Sequence, residues 1–177
     1  MRTFTDQLTR YAAYHRDQRN IATHLIGVPM IVFAVEILLS RPVLAGDGAF
    51  ALTPALLASV AAAAYYIALD RPVGVLMTLL LALLVAAAAP IAGQSTMTWL
   101  AWGVGLFVAG WIIQFVGHVF EGRKPAFVDD IIGLLIGPLF VVCEVLFFAG
   151  LRRDVADAIE RELGAKLPRR GLSGQLL

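Results

Sequence analysis

Five long apolar stretches separated by short polar punctuation organise the chain, at residues 21–40, 53–69, 73–90, 98–120 and 131–150. A bilayer core about 30 Å thick takes about 20 mostly apolar helical residues, and each stretch reaches or approaches that length. The separators "RPVLAGDG", "DRP", "IAGQSTM" and "EGRKPAFVDD" carry the Pro, Gly and Asp that turns require. Within the stretches Ala and Leu dominate and apolar residues do not alternate with polar ones. A lipid-exposed backbone must satisfy its own hydrogen bonds, so this pattern predicts helices rather than strands. The "DRP" link is short enough to force the second and third stretches into an antiparallel hairpin.

Positive charge then suggests an orientation. Arg2, Arg10, Arg16 and Arg19 precede the first stretch, Arg41 follows it, and Arg71 follows the second. No Lys or Arg lies between the third and fourth stretches, and Arg123 and Lys124 follow the fourth. This alternation predicts a cytoplasmic N-terminus, with the loop after the fourth stretch on the same side. Arg152, Arg153, Arg161, Lys166, Arg169 and Arg170 also favour the cytoplasm, whereas five full crossings would put them outside. Residues 131–150 are therefore expected either as a fifth span or as a re-entrant helical hairpin broken at Gly137-Pro138. Val155, Ala158, Ile159 and Leu163 have the spacing of a short amphipathic helix over residues 152–167, lying on the membrane surface. The expected architecture is an all-α polytopic membrane helical bundle: four transmembrane helices, the fifth span or hairpin, and an amphipathic C-terminal helix. It forms a single integral membrane domain over residues 1–177. Residues 1–20 are its N-terminal cytoplasmic segment, 21–150 its membrane helices, and 151–177 its cytoplasmic basic tail.

Composition strengthens the membrane assignment. The chain is 59% hydrophobic and 15% charged, with a mean hydropathy of +0.80, against about 45–50% and about 25% in ordinary soluble domains. A net charge of +1 gives no reason to expect nucleic acid as a partner. The single cysteine, Cys143, excludes a disulfide framework and any CxxC motif, and its apolar surroundings suit an inert thiol. Residues 1–20 lack an apolar h-region, so no cleaved signal is expected and the first span should be retained.

The three histidines are His15, His24 and His118. His15 lies just before the first span and His24 in its first turn, with Asn20 a candidate N-cap. His118 ends the fourth span. Two crossings between residues 41 and 97 return the chain to its starting side, so all three imidazoles are predicted at one membrane surface, whatever the absolute orientation. Imidazole is the commonest protein ligand for transition metals. A lone interfacial histidine is more commonly an amphipathic side chain at ease there; three on one side point to a metal site.

Gln114, His118 and Glu121, at i, i+4 and i+7, share one helix face. Glu121 is a candidate fourth ligand or a hydrogen-bond partner of a ligand imidazole, with an interfacial ion pair to Arg123 or Lys124 as the plain alternative. Tyr11 and His15 are i, i+4 neighbours, so the tyrosine hydroxyl is a candidate to line the same pocket. Asp17 and Arg19 read as solvated surface. Pro29 is expected to kink the first span. Glu36 precedes Arg41 and reads as snorkelling to the far interface, whereas Glu144 stands in the fifth stretch as a candidate functional carboxylate.

The segments "YHRDQRNIATHLIGVP" (14–29), "QFVGHVFEGRKPAF" (114–127) and "IGPLF" (136–140), with Glu144, resemble the fungal and bacterial family of 2-hydroxy fatty acid dioxygenases. The resemblance covers roughly residues 11–150, and its specificity rests on the histidine motifs. It implies an Fe(II)-dependent, haem-free membrane enzyme that uses O2 to cleave a long-chain 2-hydroxy fatty acid to an acid one carbon shorter, in fatty acid α-oxidation. His15, His24 and His118 would be the iron ligands, with Glu121 also in the catalytic site. Three side-chain ligands would leave positions open for O2 and for the carboxylate and C2 oxygen of the substrate. Tyr11, Gln114, Arg19 and Lys124 are the candidate substrate-binding residues, and Arg16 or Arg123 could equally neutralise the incoming carboxylate. The acyl tail is expected in a lipid-side groove between spans one and four. The bacterial inner membrane, with the histidines on its cytoplasmic face, is the expected location. A small transporter using Glu36 and Glu144, or a metal-free membrane scaffold, is the alternative; spans two and three carry almost no polar residues to line a pathway.

Overall fold

The structure is a computed structural model and describes residues 3–126 and 131–164. Among these residues the chain forms seven helices and no strand. They are α1 (Phe4–Ala12), α2 (Gln18–Leu39), α3 (Pro54–Leu69), α4 (Arg71–Ala92), α5 (Thr96–Glu121), α6 (Gly133–Phe148) and α7 (Arg153–Gly164). Three of them, α2, α4 and α5, are long and apolar enough to cross a membrane. The sequence suggested at least four such spans. The 16 residues of α3 and the 16 of α6 fall short of the roughly 20 that a full crossing takes. A fourth candidate span exists only if α6 and α7, bent by 108° at their junction, count as one broken element. Large apolar side chains on the long helices stay exposed, among them Leu79, Leu83, Ile112 and Val119. Outward-facing apolar surface on this scale marks a membrane protein. The chain divides into two compact units, one of Met1–Val28 with Ile112–Leu177 and one of Pro29–Trp111.

The first unit opens with a helix that the sequence reading missed. Thr3 Oγ1 accepts the Asp6 N–H at 3.2 Å, and the Asp6 carboxylate accepts the Thr3 N–H at 3.0 Å. This reciprocal capping box starts α1. Phe4, Leu8 and Ala12, spaced by four, form its buried stripe, and α1 packs against α6 and α7. Val155, Ile159 and Leu163 form the matching buried stripe of α7. The amphipathic C-terminal helix is therefore present to Gly164, while residues 165–167 of the expected helix lie outside the described residues.

The expected break at Gly137-Pro138 is not there: α6 runs through Pro138 unbroken. Pro138 is the sixth residue of this helix, so only the bond to the Leu134 carbonyl is lost, close to the helix start where a missing donor is cheapest. The chain turns instead after α6, where Gly150 (φ 77°) and Arg152 (φ 51°) take left-handed backbone.

In the second unit, Asp70 ends α3 and starts α4, its Oδ1 accepting the Val73 N–H at 3.0 Å. The predicted hairpin is thereby realised. Gly74 abuts α3 so closely that an added Cβ would stand 2.5 Å from Ile67 Cα. Arg41 binds the α4–α5 turn: its Nε donates to the Ala92 carbonyl at 2.6 Å, another guanidinium nitrogen donates to the Gln94 carbonyl, and the group lies 4.8 Å over the Trp99 ring. Glu36 does not snorkel to an interface. It is buried, with Oε1 accepting from Ser59 Oγ at 2.6 Å.

Gly74→Ala is expected to destabilise the α3–α4 hairpin by about 1–3 kcal/mol, because backbone rather than a flexible side chain must give way. Reversible unfolding of the detergent-solubilised protein measures it.

Candidate metal centre

Local backbone chemistry sets the three imidazoles. Asp17 ends the turn after α1, and its Oδ1 accepts the Arg19 N–H at 2.9 Å, the bond of a helix N-cap. α2 consequently begins at Gln18, and Asn20, the expected cap, lies inside the helix. Asp17 is buried rather than solvated. Hydrogen bonds from Arg19 hold its carboxyl below the usual range.

His15 Nδ1 lies 2.8 Å from the Tyr11 carbonyl, and His24 Nδ1 lies 2.8 Å from the Asn20 carbonyl. A carbonyl oxygen only accepts, so both Nδ1 atoms carry the proton, and each neutral ring must present a lone pair at Nε2. Those two Nε2 atoms face each other at 3.1 Å. Both rings are 2% exposed, too buried for water to intervene freely. Burial first, then the neighbouring His24, hold the His15 pKa well below its ordinary value, which leaves no ready proton to bridge the pair. Two lone pairs pressed together in a buried site repel unless a cation lies between them.

A third nitrogen is spare. His118 Nδ1 is buried with no hydrogen-bond partner. Its ring centroid stands 5.2 Å from that of His15 and 5.1 Å from that of His24. One ligand atom from each of the three histidines falls within 4.8 Å of the others. Nitrogens on one first-row metal ion, each about 2.1 Å from it, stand about 3.0–3.4 Å apart when adjacent. The His15–His24 separation is in that range, and the donor set fits a transition metal such as iron or zinc.

Glu121 does not join this group. It is buried, and its Oε2 accepts from the Arg16 N–H at 2.9 Å, the Asp17 N–H at 2.8 Å and the Asn20 Nδ2–H at 3.1 Å. One carboxylate oxygen thus ties the whole 15–20 turn to the end of α5, one turn beyond His118. Gly117 permits the approach: a Cβ there would stand 2.0 Å from Thr23 Oγ1 and 2.5 Å from Asn20 Oδ1. Tyr11 stacks on His15, with centroids 4.2 Å apart and planes 8° from parallel. Burial raises its phenol pKa, so the ring stays neutral. Gln114, one turn before His118, is buried with an unpartnered Oε1. Arg19 is exposed, paired with Asp17 at 2.8 Å and lying over Phe120; Lys124 is also exposed.

A cleft of about 680 Å³ opens at His15. Ile21 and Leu25 of α2, Val145 and Phe148 of α6, and Ile159 of α7 supply apolar walls. Arg16, Glu144 and Glu160 add charge. No α5 residue lines it, so this space is not the expected groove between spans one and four. Neither Arg19 nor Lys124 reaches it. Arg16 and the α7 carboxylate beside it are the site features that sequence reasoning underused; adjacency to His15 was the available signal.

The described helices bury three convergent imidazoles that could hold a metal ion, beside an apolar cleft. Over residues 1–149 the chain matches the family described as 2-hydroxy-palmitic acid dioxygenase Mpo1-like, and it belongs to that family. It is 36% identical over 162 residues to 2-hydroxy-palmitic acid dioxygenase MPO1 of Saccharomyces cerevisiae, covering 90% of this chain and 89% of the yeast protein. No solved structure matches the chain.

Glu121→Ala removes the acceptor that holds the His15 turn against α5 and should lower metal affinity about tenfold or more, as loss of a group that orients a metal ligand does. Titration of the purified protein with Co(II), followed by its visible absorption, reads this directly. Gly117→Ala is expected to abolish the Co(II) spectrum, since its Cβ displaces the α2 segment carrying His24.

Proposed function

We propose that this protein is an Fe(II)-dependent, haem-free dioxygenase that shortens a long-chain 2-hydroxy fatty acid by one carbon. The observation that carries the reading is the buried pair of facing Nε2 lone pairs at 3.1 Å, with a third buried nitrogen spare on His118. Kinship with an enzyme named a 2-hydroxy-palmitic acid dioxygenase supports the substrate class.

His15, His24 and His118 would hold the iron, which when bound supplies the redox chemistry that lets O2 react with the acid. The chain's own residues do the rest. Glu121 and Asn20 keep the His15 turn in register with α5, and Tyr11 fixes the plane of the His15 ring. Gln114 offers a buried amide on the same face of α5 as His118. Arg19 and Lys124 contribute positive charge at the exposed surface, where it attracts an acid. The apolar cleft shelters the acyl chain from water. Sequence charge supports placing the site on the cytoplasmic face, in the inner membrane if the host is bacterial.

The stoichiometry can be written without a further reductant. RCH(OH)COOH and O2 give RCOOH, CO2 and H2O: the C1–C2 bond breaks, C2 becomes a carboxyl carbon, and O2 takes up all four electrons. Release of formate in place of CO2 would require two further electrons from a donor.

Purified protein reconstituted with Fe(II) is expected to convert 2-hydroxypalmitate to pentadecanoate with equimolar O2 uptake and CO2 release. His15→Ala, His24→Ala and His118→Ala should each lose metal and lower turnover by more than the about 100-fold that outer partners cost. Full turnover in these variants, or in protein stripped of metal, would sink the proposal.

A further inference from the structure

We propose that the Arg16 guanidinium receives the carboxylate of a single-chain fatty acid lying in the cleft, and that Glu160 of α7 is the resident carboxylate this ligand displaces. The inference deepens the reading above, naming the group that anchors its substrate, but it concerns binding and does not require turnover.

Arg16 follows His15 directly in the chain, and its side chain is 7% exposed. A guanidinium stays charged at any relevant pH, so burying it demands an anion nearby. Among the described residues that line the cleft, Arg16 is the one Lys or Arg. An anion beside it among the described residues is Glu160, with Arg16 Nη1 and Glu160 Oε1 3.6 Å apart. Charge-assisted hydrogen bonds close to about 2.7–2.9 Å, so this is a loose pair. Glu160 also keeps 39% of its side chain exposed, so it can turn to water when another carboxylate arrives.

The rest of the cleft selects one aliphatic chain. Its volume of about 680 Å³ is in the range of small-molecule sites, about 300–1,000 Å³. Ile21, Leu25, Val145 and Ile159 give the tail apolar contact, and Phe148, 96% exposed, lines the cleft as well. Glu144 also lines the space, so an anion is favoured only at the Arg16 end. A carboxylate held there leaves C2 beside His15, where the proposed chemistry needs it. The two glutamates raise the opposite possibility, a long-chain amine, which the test includes.

The experiment is equilibrium binding to the full chain as purified, under argon so that nothing turns over. The probes are radiolabelled palmitate and 2-hydroxypalmitate, with hexadecanol and hexadecylamine as competitors. Both acids should bind more tightly than the alcohol or the amine. Arg16→Met should weaken acid binding about tenfold or more and leave the alcohol unchanged, with Arg16→Lys intermediate. Glu160→Gln should tighten acid binding severalfold, because the competing carboxylate is gone. It removes no apolar contact and keeps the fold even if Arg16→Met does not. Unchanged or weaker acid binding in Glu160→Gln, or tighter binding of the amine than of the acids, overturns the proposal. If acids bind in this pattern but no product forms once O2 and Fe(II) are supplied, the dioxygenase reading falls and the anchor stands. If product forms and Arg16→Met leaves KM unchanged, the anchor falls and the dioxygenase reading stands.

Discussion

The confrontation of two imidazole nitrogens governs this structure. Each ring is committed by its Nδ1–H to a backbone carbonyl four residues upstream, Tyr11 for His15 and Asn20 for His24. Those bonds fix ring orientation and protonation together. What remains is a pair of lone pairs 3.1 Å apart in a nearly dry interior, an arrangement worse than any unpaired polar group unless positive charge resolves it. The surrounding fold is arranged to impose this contact rather than relieve it. Asp17 caps α2 so that the His15 turn is short, and Glu121 binds three donors of that turn at once. Gly117 lets α5 come close enough to present His118 as a third donor. A scaffold with no use for a cation would gain by letting any one of these elements relax.

Part of this was legible in the sequence, although the crossing count behind it was not: α3, at 16 residues, is shorter than a full span. His15, His24 and His118 were assigned to one surface from the number of apolar segments between them, and their convergence in the structure agrees. The i, i+4, i+7 series of Gln114, His118 and Glu121 likewise located a buried face of α5, since helical periodicity carries direction directly. Less legible was the division of labour within that face. A carboxylate next to histidines reads equally as ligand or as support. Only the three-dimensional path of residues 15–20 shows Glu121 facing backbone N–H groups contributed from more than a hundred positions away.

The misreadings share a physical cause. Residues 1–20 are polar on average, and hydropathy averaged over a window discards the stripe of Phe4, Leu8 and Ala12, spaced by four; the Thr3–Asp6 capping pair was the signal that would have recovered α1. Asp17 was taken for surface because charge is commonly outside, yet a helix start needs a side-chain acceptor and Asp suits that position as well as Asn does. Pro138 was taken for a break because proline is costly in a helix interior, but its cost falls with proximity to the helix start. Glu36 was expected to snorkel to the far interface because Arg41 follows it closely in sequence. It is buried instead, with Oε1 accepting from Ser59 of a different helix, while Arg41 binds the carbonyls of the α4–α5 turn. Each error treats a local average as a statement about one atom's partner.

The second unit and the first carry different loads. In Pro29–Trp111 the helices present Leu79, Leu83 and their neighbours outward, and buried polar side chains are few, among them Glu36 and Ser59. In the first unit a cluster of polar side chains around the histidines is buried and mutually constrained, and an apolar cleft opens beside it. On the proposed function, a lipid substrate would explain why such a site belongs in a membrane protein. An acyl chain dissolved in the bilayer pays little to enter a groove walled by Leu25, Val145 and Ile159, so binding selectivity has to come from the polar head. Apolar walls cannot distinguish one chain terminus from another; charge and metal ligation can. On that reading, the requirement accounts for His15, one of three clustered imidazoles, and the buried Arg16 lining the same cleft.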